Sequence, residues 1–173
     1  KEGLAKHFDL ELENFILGAG SNEILVFLSQ CLMGEGKSVV ASEKAFVIYK
    51  ILAKMTGSDF LEVPMKEQLT HDLDAILAAI RPDTTLVFVC NPNNPTGSMV
   101  GEKEIADFMA KVPDHVLVVF DEAYAEICLG EMPDTVKYVR EGRSAIVLRT
   151  FSKAYGLAGL RVGYGIAAPQ IIQ

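Results

Sequence analysis

Along this chain, short β-branched or apolar runs alternate with amphipathic stretches of helical length. The runs are "NFILG", "KSVVAS", "DFLEV", "TTLVFVC", "HVLVVFD", "SAIVLRT" and "RVGYGIA". Between them, residues 22–33, 44–56, 72–80, 101–112 and 133–142 repeat apolar positions at helical spacing. Runs such as "LVFVC" and "VLVVF" are apolar at consecutive positions rather than at alternate ones. A strand of that kind is buried on both faces, as in a parallel sheet covered by helices on each side. The pattern predicts a three-layer α/β/α domain around a mostly parallel seven-stranded sheet. No internal repeat or low-complexity linker interrupts it, so residues 1–173 read as one domain.

Composition narrows the classes of function. Half of the 173 residues are hydrophobic, enough for a substantial core. No apolar run approaches the roughly 20 residues that cross a bilayer, and no charged-then-apolar signal opens the chain. A soluble, cytoplasmic protein with no membrane partner is the expectation. The net charge of -7 argues against nucleic acid as a partner, because phosphate backbones are gripped by basic faces. Cys31, Cys90 and Cys128 lie far apart without CxxC spacing, which predicts reduced, buried thiols and no metal site. Lys1 enters directly on a helical pattern, and "PQIIQ" places a proline at a helix start, so the sequence reads as a piece of a longer protein.

In open parallel sheets the ligand crevice lies beyond the carboxyl ends of the strands, which gives a position test for candidate residues. Gly18 to Asn22 follow the first strand, Asn91 to Gly97 follow "LVFVC", Asp121 ends "VLVVF", and Thr150 to Lys153 follow "AIVLR". Four polar clusters thus converge on one rim. His115 opens a strand at the opposite edge and His71 stands at a helix start, so both read as structural.

"GAGSNE" between a strand and a helix offers unblocked backbone N–H groups at the positive end of a helix dipole. Taken alone it is equally a glycine turn with Ser21 as helix cap, since the full phosphate-loop fingerprints are missing. Thr150 and Ser152 add hydroxyl donors, and Arg161 adds a fork that grips phosphate oxygens. Asp121 ends an apolar strand, where a carboxylate needs a partner; it reads either as a cap for "EAYAEI" or as a functional anion. Lys153 stands among small, apolar and aromatic neighbours in "TFSKAYGLAGLRVGYG", where it either snorkels to solvent or acts as a nucleophilic amine. A lysine nucleophile, a carboxylate suited to a ring nitrogen and a phosphate cup together define a site for pyridoxal 5'-phosphate.

The blocks "NPNNPTG", "DEAYAE" and "SKAYGLAGLRVGYG" resemble, in this order, those of fold-type I, class I/II aminotransferases. Within that family the likeness is greatest to the histidinol-phosphate subgroup, and it extends over nearly the whole chain. The resemblance implies that Lys153 binds the cofactor covalently and then moves the substrate proton, and that Asp121 holds the proton on the pyridine nitrogen. It implies that Asn94 and Tyr124 bond the ring's phenolic oxygen, and that Gly20, Ser21, Asn22, Thr150, Ser152 and Arg161 form the phosphate cup. Phe46 falls where the family usually stacks a tyrosine on the ring, and Asn22 replaces a more frequent aspartate.

The same resemblance implies that residues 1–173 are the large, cofactor-binding domain. An N-terminal arm, and a small domain with the arginine for the substrate carboxylate, would lie outside it. It further implies a homodimer with small-molecule amino-acid and keto-acid substrates, here L-glutamate and imidazole-acetol phosphate. The alternatives are an aromatic or aspartate aminotransferase, a threonine-phosphate decarboxylase, or a non-catalytic ligand-sensing domain of a regulator.

Overall fold

A computed structural model describes residues 1–173. Its strands are β1 (Phe15–Ala19), β2 (Ser38–Ser42), β3 (Asp59–Val63), β4 (Thr84–Cys90), β5 (Leu117–Asp121), β6 (Ala145–Thr150) and β7 (Val162–Ala167). Its helices are α1 (Glu2–Phe8), α2 (Ser21–Leu32), α3 (Ile48–Thr56), α4 (Leu73–Ala79), α5 (Glu102–Met109), α6 (Val136–Arg140) and α7 (Pro169–Ile172). They form one sheet in the order β1-β7-β6-β5-β4-β2-β3, with four parallel pairings and antiparallel pairings of β7 to both β1 and β6. The sheet is seven-stranded and mostly parallel, as the pattern predicted.

The consecutive apolar residues of the central strands divide between two cores. Val87, Val89, Val118, Phe120 and Val147 face a layer built by α1, α4, α5 and α6. Leu86, Phe88, Cys90, Leu117 and Val119 face the other layer, built by α2, α3 and α7. That split is the period-2 geometry of a strand with an apolar cover on each side. It also opens the crevice, because α3, which follows β2, and α5, which follows the neighbouring β4, leave toward opposite faces. The loops between strand and helix part there, at the switch point of the sheet.

Some boundaries differ from the pattern for local reasons. The stretch predicted as a helix from residue 44 becomes helical only at Ile48, because the Glu43 N–H is spent on the Val63 carbonyl and prolongs the sheet edge. The stretch 133–142 shortens to α6, since the Asp134 N–H donates to Glu102 and the Thr135 hydroxyl to Glu122. All three cysteines are free, but only Cys90 is buried; Cys31 is exposed in the last turn of α2 and Cys128 half-buried in a loop. A thiol's apolar character did not say which side of its element it would occupy.

His71 is buried and structural. Its Nε2 lies 2.8 Å from the Cys90 carbonyl, which only accepts, so Nε2 carries the proton and Nδ1 accepts from the Ser42 hydroxyl at 2.7 Å. The ring staples the ends of β2 and β4 across the crevice. Burial lowers its pKa from the ordinary 6.5, so the native state holds it neutral. Its stability contribution is complete above that value and is lost as the pH falls below it, where the unfolded chain takes up the proton first. Denaturant unfolding at about pH 8 and about pH 5 should therefore show a larger acid loss for the parent chain than for His71→Gln. Equal losses would remove His71 as the cause.

Candidate functional site

The rim at the carboxyl ends of β1, β2, β4, β5 and β6 is also where β7 begins, because β7 runs the other way. Every residue singled out from the sequence lines one open cavity of about 180 Å³ on this rim. Gly20, Ser21 and Asn22 come from the β1–α2 junction and Phe46 from the turn before α3. Asn94 follows β4, Asp121 and Tyr124 end and follow β5, and Thr150, Ser152 and Lys153 end and follow β6. Arg161 precedes β7. Cys90 and Ala123 complete the wall.

One end of the cavity is built for an anion. Gly20 occupies the N-cap position of α2, with φ of 77°, so the alternative of Ser21 as helix cap does not hold. An L side chain rarely adopts that conformation, and a Cβ there would stand 2.7 Å from Arg161 Nη2. Gly163 is tighter still: a Cβ would meet the Ser21 nitrogen at 2.1 Å. These two glycines let the start of α2 press against the start of β7. The Ser21 and Asn22 N–H groups, first in the helix, have no carbonyl four residues back within it, and both residues line the cavity. Arg161, itself at φ 52°, donates from Nη2 to the Ala19 carbonyl at 2.9 Å and from Nη1 to the Ala158 carbonyl at 3.0 Å. The fork is thereby fixed beside the helix start. Thr150 Oγ1 accepts from the Ser152 N–H at 3.1 Å, which turns the chain so that both hydroxyl residues line the same wall.

The other end holds a buried carboxylate. Asp121 is only 3% exposed. Its Oδ2 accepts from the Tyr49 hydroxyl at 2.7 Å and its Oδ1 from the Ala123 N–H at 3.3 Å. Burial raises its pKa above the ordinary carboxylate value, opposed by the Tyr49 hydroxyl, the Ala123 N–H and the charge of Lys153. The cap reading survives only in the weak Ala123 bond, since "EAYAEI" forms a single 3-10 turn over Ala125–Ile127 rather than a helix. Burial also pushes the Cys90 thiol up to about 12, so it stays protonated beside the carboxylate.

The three asparagines of "NPNNPTG" divide their work. Asn91 clamps the loop by donating to the Val100 carbonyl and accepting from the Val100 N–H, each at 3.0 Å. Asn93 donates to the Lys44 carbonyl at 2.9 Å and ties this loop to the turn carrying Phe46. Asn94 is the one that lines the cavity. Lys153 is exposed, not enclosed by apolar neighbours, and its Nζ stands 5.0 Å from the centre of the Tyr124 ring.

Glu122, next to Asp121, points to the opposite face of the sheet, as strand alternation dictates. It accepts from Arg149 Nη2 at 2.7 Å and from the Thr135 hydroxyl, and burial pushes its carboxyl up to about 7 against those partners. The two adjacent carboxylates therefore have separate tasks, and Glu122 belongs to the framework. Tyr49 is the site residue that sequence reasoning missed. Its position at the start of an amphipathic helix reads as core, and only the fold brings its hydroxyl to Asp121. No three His, Cys, Asp or Glu side chains gather in a metal-holding group.

Comparison with known proteins gives the chain a family. The family described as aminotransferase class I and II matches residues 1–173. A protein of Akkermansia muciniphila named histidinol-phosphate aminotransferase is 54% identical over 96% of this chain and 46% of its own length. One of Mycolicibacterium smegmatis named aromatic amino acid aminotransferase is 49% identical over 99% of this chain and 48% of its own length. Among solved structures, histidinol-phosphate aminotransferase of Sinorhizobium meliloti in complex with pyridoxal-5'-phosphate superposes with a TM-score of 0.89 at 30% identity. That match covers 99% of this chain and 47% of the other. The chain spans about half the length of the curated relatives it matches.

Proposed function

This chain belongs to the aminotransferase class I and II family, and from that premise we propose that its 173 residues are the cofactor-binding domain of a pyridoxal 5'-phosphate-dependent transaminase. The observation that carries the reading is the single cavity joining an anion cradle, a buried carboxylate and a lysine amine. The residues fit the cofactor: the helix start of Ser21 and Asn22, the hydroxyls of Thr150 and Ser152, and the Arg161 fork suit its phosphate. The two close-packed glycines leave no side chain in the cradle, and Asp121, lining the same cavity, would supply the anion that the ring nitrogen needs.

When bound, the cofactor supplies an electron-poor ring that takes up the electron pair left on a substrate Cα. The chain's own residues do the rest. Asp121 holds a proton at the ring nitrogen, and the burial of this carboxylate keeps water from competing for it. Phe46 offers an aromatic face for stacking. Asn94 and Tyr124 donate hydrogen bonds to the ring's oxygen substituent. With the cofactor bound, the Lys153 amine would hold it covalently and would serve as the base that takes up the substrate Cα proton and gives it back.

The substrates follow the names of the relatives. We assign exchange of amino and keto groups between L-glutamate and imidazole-acetol phosphate, in histidine biosynthesis, by a cytoplasmic homodimer. A second reading, an aromatic amino acid aminotransferase, is favoured by relatives of that name at 49% and 47% identity. Substrate profiling of the protein carrying this chain separates the two. Histidinol phosphate should exceed phenylalanine as amino donor by on the order of a hundredfold in kcat/KM, because a site built to bond a charged group rejects analogues that leave its own groups unpaired. The reverse order would replace the first reading by the second.

A further inference from the structure

Resting on that reading of the site, we infer that Tyr49 is a positioning residue, which holds Asp121 ionised and correctly turned for the ring nitrogen. The tyrosine is fully buried, and its ring is fixed on two sides. It stacks on Phe88 with centroids 4.3 Å apart and planes at 5°, and Phe46 meets it edge-on at 5.8 Å. A ring held in this way keeps its hydroxyl oxygen in one place, beside the Asp121 carboxylate and the Cys90 thiol. It donates to Oδ2 of Asp121 at 2.7 Å.

The consequence for Asp121 is chemical. A carboxylate buried this deeply favours its neutral form, and a neutral Asp121 places no anion beside the ring nitrogen. The groups around it are few. From β4 comes the Cys90 thiol, protonated by burial, with His71 behind it on the Cys90 carbonyl. From the loop after β6 comes the charge of Lys153, from the loop after β5 the Ala123 N–H, and from α3 the Tyr49 hydroxyl. Glu122 lies on the other face with Arg149. Lys153 must leave its proton during turnover, so its charge is not a constant support. The Tyr49 hydroxyl is constant: its own pKa is raised well above 10 by burial and by Asp121, so it remains a donor. With Oδ2 occupied and only a weak bond at Oδ1, the carboxylate is turned about its long axis into one orientation.

The arrangement also couples two functions through one helix start. Phe46 lines the cavity, and three residues later Tyr49 touches Phe46 with its ring and Asp121 with its hydroxyl. The face offered for stacking and the anion offered to the ring nitrogen are thus set by a single aromatic assembly.

The test uses the cofactor-loaded protein carrying this chain, as parent, Tyr49→Phe, Asp121→Asn and the double variant. Tyr49→Phe keeps the stack on Phe88 and deletes one oxygen. A hydrogen bond to a charged group corresponds to roughly tenfold or more, so single-turnover amino transfer should slow by about that factor with the donor KM nearly unchanged. The pH midpoint of the bound cofactor's visible absorbance should move upward, since a weaker hold on the ring-nitrogen proton removes a positive charge that opposes protonation nearby. In the Asp121→Asn background, Tyr49→Phe should add little, because the hydroxyl acts only through the carboxylate. Equal slowing in both backgrounds, or an unmoved absorbance midpoint, would overturn the inference. If Tyr49→Phe does not fold alone, the double variant against Asp121→Asn still reads the term that must vanish. Borohydride labelling of Lys153 in the parent keeps the two levels apart: its absence fails the site reading, whereas a labelled Lys153 with a silent Tyr49→Phe fails this inference alone.

Discussion

On the proposed reading, Lys153→Ala in the protein carrying this chain should abolish transamination, with kcat falling by roughly four orders of magnitude or more, because it removes the amine assigned to carrying the cofactor and moving the Cα proton. The expected result has two parts that a mere loss of folding does not reproduce. Borohydride treatment of the loaded parent fixes the cofactor on the peptide containing Lys153, and the variant leaves that peptide unlabelled. The variant should still retain cofactor through the cradle proposed for Ser21, Asn22 and Arg161, which line the same cavity without involving the lysine. Peptide mapping by mass spectrometry decides the matter. Label on any other lysine moves the reacting centre elsewhere on the rim.

Asp121→Asn has the second largest effect. Asparagine fills the same volume beside Tyr49, so folding survives, but a neutral amide offers the ring nitrogen no anion. Proton removal at Cα should slow on the order of a hundredfold or more, the scale seen when a group aimed at developing charge is lost. The Tyr49 hydroxyl remains satisfied, because the amide oxygen accepts it. Rapid mixing with glutamate isolates this step from product release. A near-parental rate there would contradict the role given to the carboxylate, whatever the steady-state rate.

What the sequence disclosed follows from where the information lies. Apart from Arg161, which precedes its strand, the rim residues were legible because they end or follow runs whose apolar pattern marks them as buried strands, and a parallel sheet puts those ends together. Phe46 and Asn94 were legible only through resemblance to a family; nothing in their own neighbourhoods distinguishes Asn94 from Asn91 and Asn93, whose side chains serve the loop. Tyr49 was hidden because a tyrosine on the inner side of an amphipathic helix has the pattern of any core residue. Its partner lies 72 positions away, beyond the reach of periodicity. Ser21 shows a different limit. Serine before an apolar helix is a good cap by type, yet the chain needs positive φ at that junction, and Gly20 takes the position.

The antiparallel last strand has a consequence for how the protein is made. Because β7 turns back beside β1, the Arg161 fork reaches the Ala19 carbonyl across 142 positions of sequence. Ends so distant in the chain meet only after the sheet between them is laid down, since closing a loop of that length costs entropy that local contacts do not repay. The cradle should therefore be among the last features to form during folding. On the proposed reading, a nascent or partly assembled domain should hold every residue of the site and still capture nothing, so that retention of the cofactor would report that these two distant segments have met.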